Sequence, residues 1–317
     1  MPTVNTVTGP IDTRDLGFTL MHEHIYVLTE GLVANFPHLW DRQARIQRAT
    51  EALREAKAHG VSTIVDLTVM GLGRDVTLAQ EVSRASGVNV IVATGLYTYD
   101  EVPRYFEHRG ADHMADLFVR DIEAGIQGTD IKAGILKVAT DEQGVTKGVE
   151  MVLRAVARAH RRTGVPISTH THAGTERGLD QQRIFKEEGV DLSRAVIGHS
   201  GDTEDVAYLE KLISAGSYIG MDRFGIDSML PTDRRVATIA ELCERGYAER
   251  MVLSHDAMCY IDWYPEDVPK QVMPRWHYLH IPDDVVPALR AAGVTDAQIE
   301  TMTVANPRAI FERQGAY

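Results

Sequence analysis

The stretch Thr19-Leu20-Met21-His22-Glu23-His24 decides how this chain reads. Side chains on a strand alternate faces, so His22 and His24 can reach one cation together while Glu23 points elsewhere. Imidazole suits zinc, iron, cobalt or manganese, yet a His-x-His pair alone is a weak signal, because such pairs also occur on metal-free surfaces. The same pattern then recurs downstream. Val165-Pro166-Ile167-Ser168-Thr169-His170 and Ala195-Val196-Ile197-Gly198-His199 are short apolar, β-branched runs that end in histidine, and Met251-Val252-Leu253-Ser254-His255-Asp256 ends in a carboxylate. Such ends converge only where parallel strands share one rim. The pattern therefore predicts an α/β chain folded as a (β/α)8 TIM barrel with a binuclear metal site at its C-terminal rim.

Working outward, eight candidate strands follow: Thr19 to His22, Ser62 to Asp66, Asn89 to Thr94, Gly134 to Lys137, Pro166 to His170, Ala195 to His199, Tyr218 to Asp222 and Met251 to Asp256. Between them lie stretches with helical spacing, such as Ile46, Ala49 and Leu53, or Val149, Val152, Leu153 and Val156, or Val206, Leu209, Leu212 and Ile213. Gly60, Gly164, Gly216 and Gly246 are placed to end helices in the left-handed conformation. The run from Tyr260 to Asp283, rich in Pro, Trp and Tyr, reads as a long loop leaving the last strand at the rim. It suits the roof of an apolar substrate channel, and equally a packing loop between subunits. The segment Asp296 to Phe311 reads as helices broken near Asn306-Pro307.

With 317 residues and 44% hydrophobic content, the chain is long enough for one such barrel, so residues 1–317 are expected to form a single domain. The net charge of -12 and the lack of a Lys/Arg cluster argue against a nucleic-acid partner. No apolar run approaches membrane-spanning length and no basic leader precedes one, so a cytoplasmic protein without a membrane partner is expected. Cys243 and Cys259 have the spacing of neither a redox pair nor a thiolate site and read as small apolar fillers.

Lys137 ends the apolar run Gly134-Ile135-Leu136-Lys137. An ammonium about 4 Å from a dication would be repelled by roughly 8 kcal/mol at an effective dielectric of 20. A desolvated lysine has a depressed pKa, and its neutral amine can add carbon dioxide to become a carbamate able to bridge two metals. Two other readings stay open: a lysine paired with a rim carboxylate, or a Schiff-base lysine of a barrel lyase.

The ordered motifs, from Gly9-Pro10-Ile11 and His22-Glu23-His24 through Ser168-Thr169-His170-Thr171-His172, Gly220-Met221-Asp222-Arg223-Phe224-Gly225 and Ser254-His255-Asp256 to Asn306-Pro307-Arg308, resemble the phosphotriesterase branch of the amidohydrolase superfamily, most closely its phosphotriesterase-like lactonases. The resemblance implies that His22, His24 and Asp256 hold one divalent ion, His170 and His199 a second, and that N6-carboxylated Lys137 bridges them. Zinc is the first expectation, with iron, cobalt or manganese as alternatives. It further implies that Tyr97 and Arg223 orient a lactone, that Met258 and Trp263 line its binding site, and that the protein is a homodimer. Asp256 would act on the proton of the attacking hydroxide. The expected substrate is a small-molecule lactone, such as an N-acyl-homoserine lactone or another γ- or δ-lactone, with organophosphate triesters as side substrates. A main activity on aryl esters or phosphotriesters, and a lyase built on Lys137, are the alternatives. His172 is expected to make a supporting hydrogen bond and His255 to be structural.

Overall fold

Apolar β-branched runs alternate with amphipathic helices, and burying one face of each helix on a parallel sheet gives a nearly closed (β/α)8 barrel. The structure is a computed structural model and describes residues 1–312 and 315–317. Its strands are β1 (Thr3–Thr6), β2 (Gly9–Asp12), β3 (Phe18–Glu23), β4 (Tyr26–Val27), β5 (Val61–Asp66), β6 (Asn89–Leu96), β7 (Ile135–Thr140), β8 (Ile167–Thr171), β9 (Ala195–Ile197), β10 (Tyr218–Met221), β11 (Met251–Leu253) and β12 (Tyr260–Ile261). The barrel sheet runs β3-β5-β6-β7-β8-β9-β10-β11, with every pairing parallel. β1 and β2 form a separate antiparallel hairpin, and β4 pairs with β12.

All eight expected strands are present, but their ends differ. β9, β10 and β11 stop before His199, Asp222 and Asp256, which lie in the turns just beyond. His199 and Asp256 have φ of 57° and 56°, a left-handed conformation that side-chain-bearing residues seldom adopt and that breaks the strand. Lys137, expected at a strand end, sits inside β7, which continues to Thr140. Gly95 makes that approach possible: a Cβ there would lie 1.9 Å from the Lys137 carbonyl oxygen.

The helices carry the expected apolar faces. Ile46, Ala49 and Leu53 are buried on Arg42–Ala58, Val149, Val152, Leu153 and Val156 on Lys147–Thr163, and Leu209, Leu212 and Ile213 on Val206–Ser214. The four expected terminating glycines all have positive φ. The run from 260 to 283 is less irregular than its composition suggests. It holds β12, a short helix Val268–Val272 and the start of a π-helical turn, Ile281–Val285. The expected break near Asn306-Pro307 is likewise absent. A π-helical turn, Thr301–Ala305, leads directly into the helix Asn306–Glu312, and the change of winding falls at the Ala305–Asn306 junction, just before Pro307. Cys243 and Cys259 are free and buried. Among the described residues no helix is long and apolar enough to cross a membrane.

β3 and β11, first and last in the barrel, share no ladder and are joined by side-chain bonds together with backbone bonds made just beyond the end of β11. The Ser254 hydroxyl accepts from the His22 N–H at 2.9 Å and donates to Glu23 Oε1 at 2.8 Å. Glu23 also accepts from the His255 N–H and from the Ala257 N–H, and Asp256 N–H donates to the His22 carbonyl at 3.0 Å.

Candidate metal centre and active site

The barrel brings the six expected ligand residues to one rim. His22, His24, Lys137, His170 and His199 are buried, and Asp256 is nearly so. His22, His199 and Asp256 form a compact trio whose donor atoms lie within 4.8 Å of one another, a grouping able to hold a metal ion.

Hydrogen bonds fix which nitrogen of each imidazole faces inward. Asp222 reaches two rings: its Oδ2 accepts from His22 Nδ1 at 2.8 Å, and its Oδ1 from His199 Nδ1 at 2.9 Å and from the His199 N–H at 2.7 Å. His24 Nδ1 lies 2.8 Å from Thr68 Oγ1, whose own proton goes to the Tyr26 carbonyl, so the ring donates there. His170 Nε2 faces Asp141 at 3.3 Å. Burial lowers the basicity of His22 and His199 and brings His170 down to about 4, so these rings are neutral near pH 7.

His22, His170 and His199, being neutral, are each left with an inward lone pair. His170 Nδ1 faces His199 Nε2 at 3.0 Å, and His22 Nε2 lies 3.4 Å from Asp256 Oδ1, which His24 Nε2 also approaches to 3.1 Å. The two facing imidazole acceptors repel unless a cation lies between them. Metal–nitrogen bonds of about 2.0–2.1 Å span nitrogens about 3 Å apart, so the donor set fits divalent metal. Burial opposes the charge on Asp256, but any positive charge on His199 or His22, the hydrogen bond from His24 and the Arg223 guanidinium all favour the carboxylate and hold its pKa well below the usual range. Lys137 Nζ lies 2.8 Å from His22 Nε2, and burial pushes its amine down to about 7.

Tyr97 and Arg223 flank this cluster. Tyr97 Oη lies 3.4 Å from His170 Nδ1 and contacts the Tyr99 hydroxyl. Burial and the Tyr99 hydroxyl raise the Tyr97 pKa, so it stays a neutral donor. Arg223 donates from Nε to Asp256 Oδ2 at 3.1 Å and from Nη1 to Asp202 at 3.0 Å, and its Nη2 lies 3.5 Å from His170 Nδ1. Burial disfavours its charge, yet Asp202 and Asp256 keep it cationic. A cavity of about 200 Å³ opens over the cluster, with Leu72, Ile226, Met258, Ile261 and the half-exposed Trp263 among its walls. A larger cavity of about 410 Å³ shares Met258, Ile261, Met273 and Trp276 with it but contains none of the cluster, so the smaller one is the site.

His255 faces Glu23 and not the cluster, as expected, but it does so from the turn beyond β11, where strand alternation no longer applies. His172 bonds Thr175 rather than any ligand. Asp222, Thr68, Asp141 and Asp202, which hold or neutralise these groups, carry no metal-ligand pattern in the sequence. Asp222 was findable: it directly follows an apolar strand, as His199 and Asp256 nearly do.

A parallel barrel whose rim carries four convergent histidines, a lysine and an aspartate defines a metal-dependent type of hydrolase, and the chain belongs to the phosphotriesterase family, whose sequence model matches residues 2–311. It is 61% identical over 325 aligned positions to the "Phosphotriesterase homology protein" of Mycobacterium tuberculosis (strain ATCC 25618 / H37Rv), covering 100% of both chains. To the "Aryldialkylphosphatase" of Saccharolobus solfataricus it is 45% identical, covering 95% of this chain and 96% of that one. The solved structure of the phosphotriesterase from Mycobacterium tuberculosis matches with a TM-score of 0.98 at 61% identity over the full length of both chains.

Proposed function

We propose that the protein is a lactonase that opens N-acyl-homoserine lactones and other γ- and δ-lactones, with phosphotriester hydrolysis as a slower side reaction. The observation that carries this reading is the placement of two donors, Tyr97 Oη and Arg223 Nη2, within 3.4 and 3.5 Å of His170 Nδ1 in a cavity with apolar walls. A lactone ring carries two oxygens for such donors and an acyl chain for such walls.

In this reading His22, His24 and Asp256 would hold one divalent ion and His170 and His199 a second, with carboxylated Lys137 as a ligand they share. The compact trio takes one histidine from each half, as ligands of adjacent ions would. Zinc, iron, cobalt or manganese bound there supplies a water of lowered pKa and an electrophile for the carbonyl oxygen. Lys137 is suited to its part because burial leaves much of its amine neutral near pH 7, the form that adds carbon dioxide. Tyr97 and Arg223 orient the lactone and stabilise the oxyanion of the tetrahedral intermediate. Asp256, held ionised, accepts the water's proton and returns it to the leaving alkoxide. Met258 and Trp263 contact the acyl chain. The exposed Trp263, Tyr264 and Val272 offer apolar surface to a second copy in a homodimer.

The 45% identity to an aryldialkylphosphatase favours one second reading, phosphotriester or aryl-ester hydrolysis as the main activity. The metal-dependent reading is tested by following acid release from an acyl-homoserine lactone. Activity abolished by a chelator and regained with zinc or cobalt supports it. Activity indifferent to chelation, with borohydride trapping a carbonyl substrate on Lys137, would replace it with a Schiff-base lyase.

A further inference from the structure

Arg235 lies outside the cavity lining and is almost fully buried, at 1% exposure. It stands in the first turn of the helix Thr232–Glu244, where the helix dipole disfavours a cation. Burying a guanidinium in such a place is costly, and an apolar residue of similar volume often serves stability as well. Its contacts explain why it is there. Nε donates to the Leu230 carbonyl at 2.9 Å and Nη1 to the Gly201 carbonyl at 2.6 Å, while Nη1 also lies 2.8 Å from Asp202 Oδ1. That last contact is a close charge pair rather than an aligned hydrogen bond.

The other oxygen of Asp202 takes Arg223, at 3.0 Å, and Arg223 in turn reaches Asp256 at 3.1 Å. Four side chains thus form a ladder of alternating charge, Asp256, Arg223, Asp202, Arg235, running from the catalytic rim into the protein interior. Asp202 has two oxygens and two cationic partners, one on each. A carboxylate free of its second partner can present both oxygens to one guanidinium, because that bidentate geometry is the stronger one. Arg223 would then be drawn toward Asp202 and away from Asp256 and His170.

We propose that Arg235 is a positioning residue for the hydrolytic reaction: by occupying Asp202 Oδ1 it restricts Asp202 to a single contact with Arg223 and holds that guanidinium over the reacting centre. The inference rests on Arg223 acting on substrate, as proposed above, but not on which substrate is preferred.

The test is a double-mutant cycle with Arg235→Met and Asp202→Asn, run on the metal-loaded protein with whichever substrate of a lactone, aryl-ester and phosphotriester panel is turned over best. Metal content and melting temperature are measured alongside. Arg235→Met is expected to lower kcat/KM by about tenfold with metal content unchanged, and the double variant to be no worse than Asp202→Asn alone, since the two act through one contact. Arg235→Lys keeps the charge and is expected to recover part of the loss. If Arg235→Met does not fold, the same cycle is run with Arg235→Lys, and losses that multiply with those of Asp202→Asn would overturn the proposal. An unchanged kcat/KM in a folded Arg235→Met, or a loss that only tracks metal content, would overturn it as well. Absence of lactonase activity in the wild-type protein would defeat the lactonase reading and leave the cycle to be decided on the best remaining substrate.

Discussion

Glu23 and Ser254 are 2.8 Å apart across the seam where the barrel's first strand meets its last, with the Ser254 hydroxyl donating to Glu23 Oε1. The carboxylate is fully buried and also takes the N–H groups of His255 and Ala257, which flank Asp256. Closure of the fold and placement of a candidate ligand are therefore one set of hydrogen bonds. Glu23→Gln turns one acceptor into a donor that faces a donor, and leaving one buried group unsatisfied costs about 1–3 kcal/mol. Urea unfolding is expected to show that loss, with reduced metal content in the same variant. A variant as stable as wild type with full metal content would contradict this role.

Asp222 joins the two halves of the centre, because one oxygen fixes His22 and the other His199. Removing a carboxylate that orients ligating histidines typically lowers metal affinity about 10- to 100-fold. Asp222→Ala is expected to weaken both ions, and Asp222→Asn to do so less. Competition titration with a chromophoric chelator measures it, and loss of only one ion would mean that the two halves are independent.

Short apolar runs, three of them ending in histidine, were enough to place eight strands and to gather the candidate ligands, since a parallel barrel brings such strand ends to one rim. What the sequence hid was lateral. Asp222 and Glu23 act across strands, on partners 200 and 231 positions away in the chain, and no local pattern encodes such pairing. Strand ends at His199 and Asp256 were misplaced because both residues turn left-handed, a conformation that propensity assigns to glycine or asparagine. Proline in the 260–283 run masked β12, which exists by pairing with β4, and the short helix Val268–Val272, whose Pro269 stands in the first turn, where no hydrogen-bonded N–H is needed.

His160 offers a pH test away from the centre. Its Nδ1 donates to the Val165 carbonyl and its Nε2 accepts from the Tyr317 hydroxyl, each at 2.7 Å. Burial lowers its pKa from 6.5 to about 4, so the unfolded chain binds this proton first as pH falls. The neutral, buried ring costs nothing above the unfolded value, and stability is lost as pH drops from 6.5 toward 4, by on the order of 3 kcal/mol. Urea melts of wild type and His160→Gln across that window are expected to converge as the pH falls. A difference independent of pH would contradict the assignment.

Lys137→Ala should lose both metal and turnover, because it removes the bridging group of the proposed centre. Adding a short carboxylic acid, which supplies a surrogate bridging carboxylate, is expected to restore part of each. Elemental analysis with and without the acid checks it, and unchanged metal content in the variant would remove the carbamate from the account.

The most direct test of lactone hydrolysis is kcat/KM for an acyl-homoserine lactone and for paraoxon, measured on metal-loaded wild type, Tyr97→Phe and Arg223→Ala with metal content as the control. Wild type is expected to prefer the lactone. Each variant should keep its metals yet lose lactone turnover by about 2.7–4 kcal/mol if its side chain is an oxyanion donor, with a smaller loss on paraoxon. A wild type that prefers paraoxon, or variants that lose both activities equally, would contradict it.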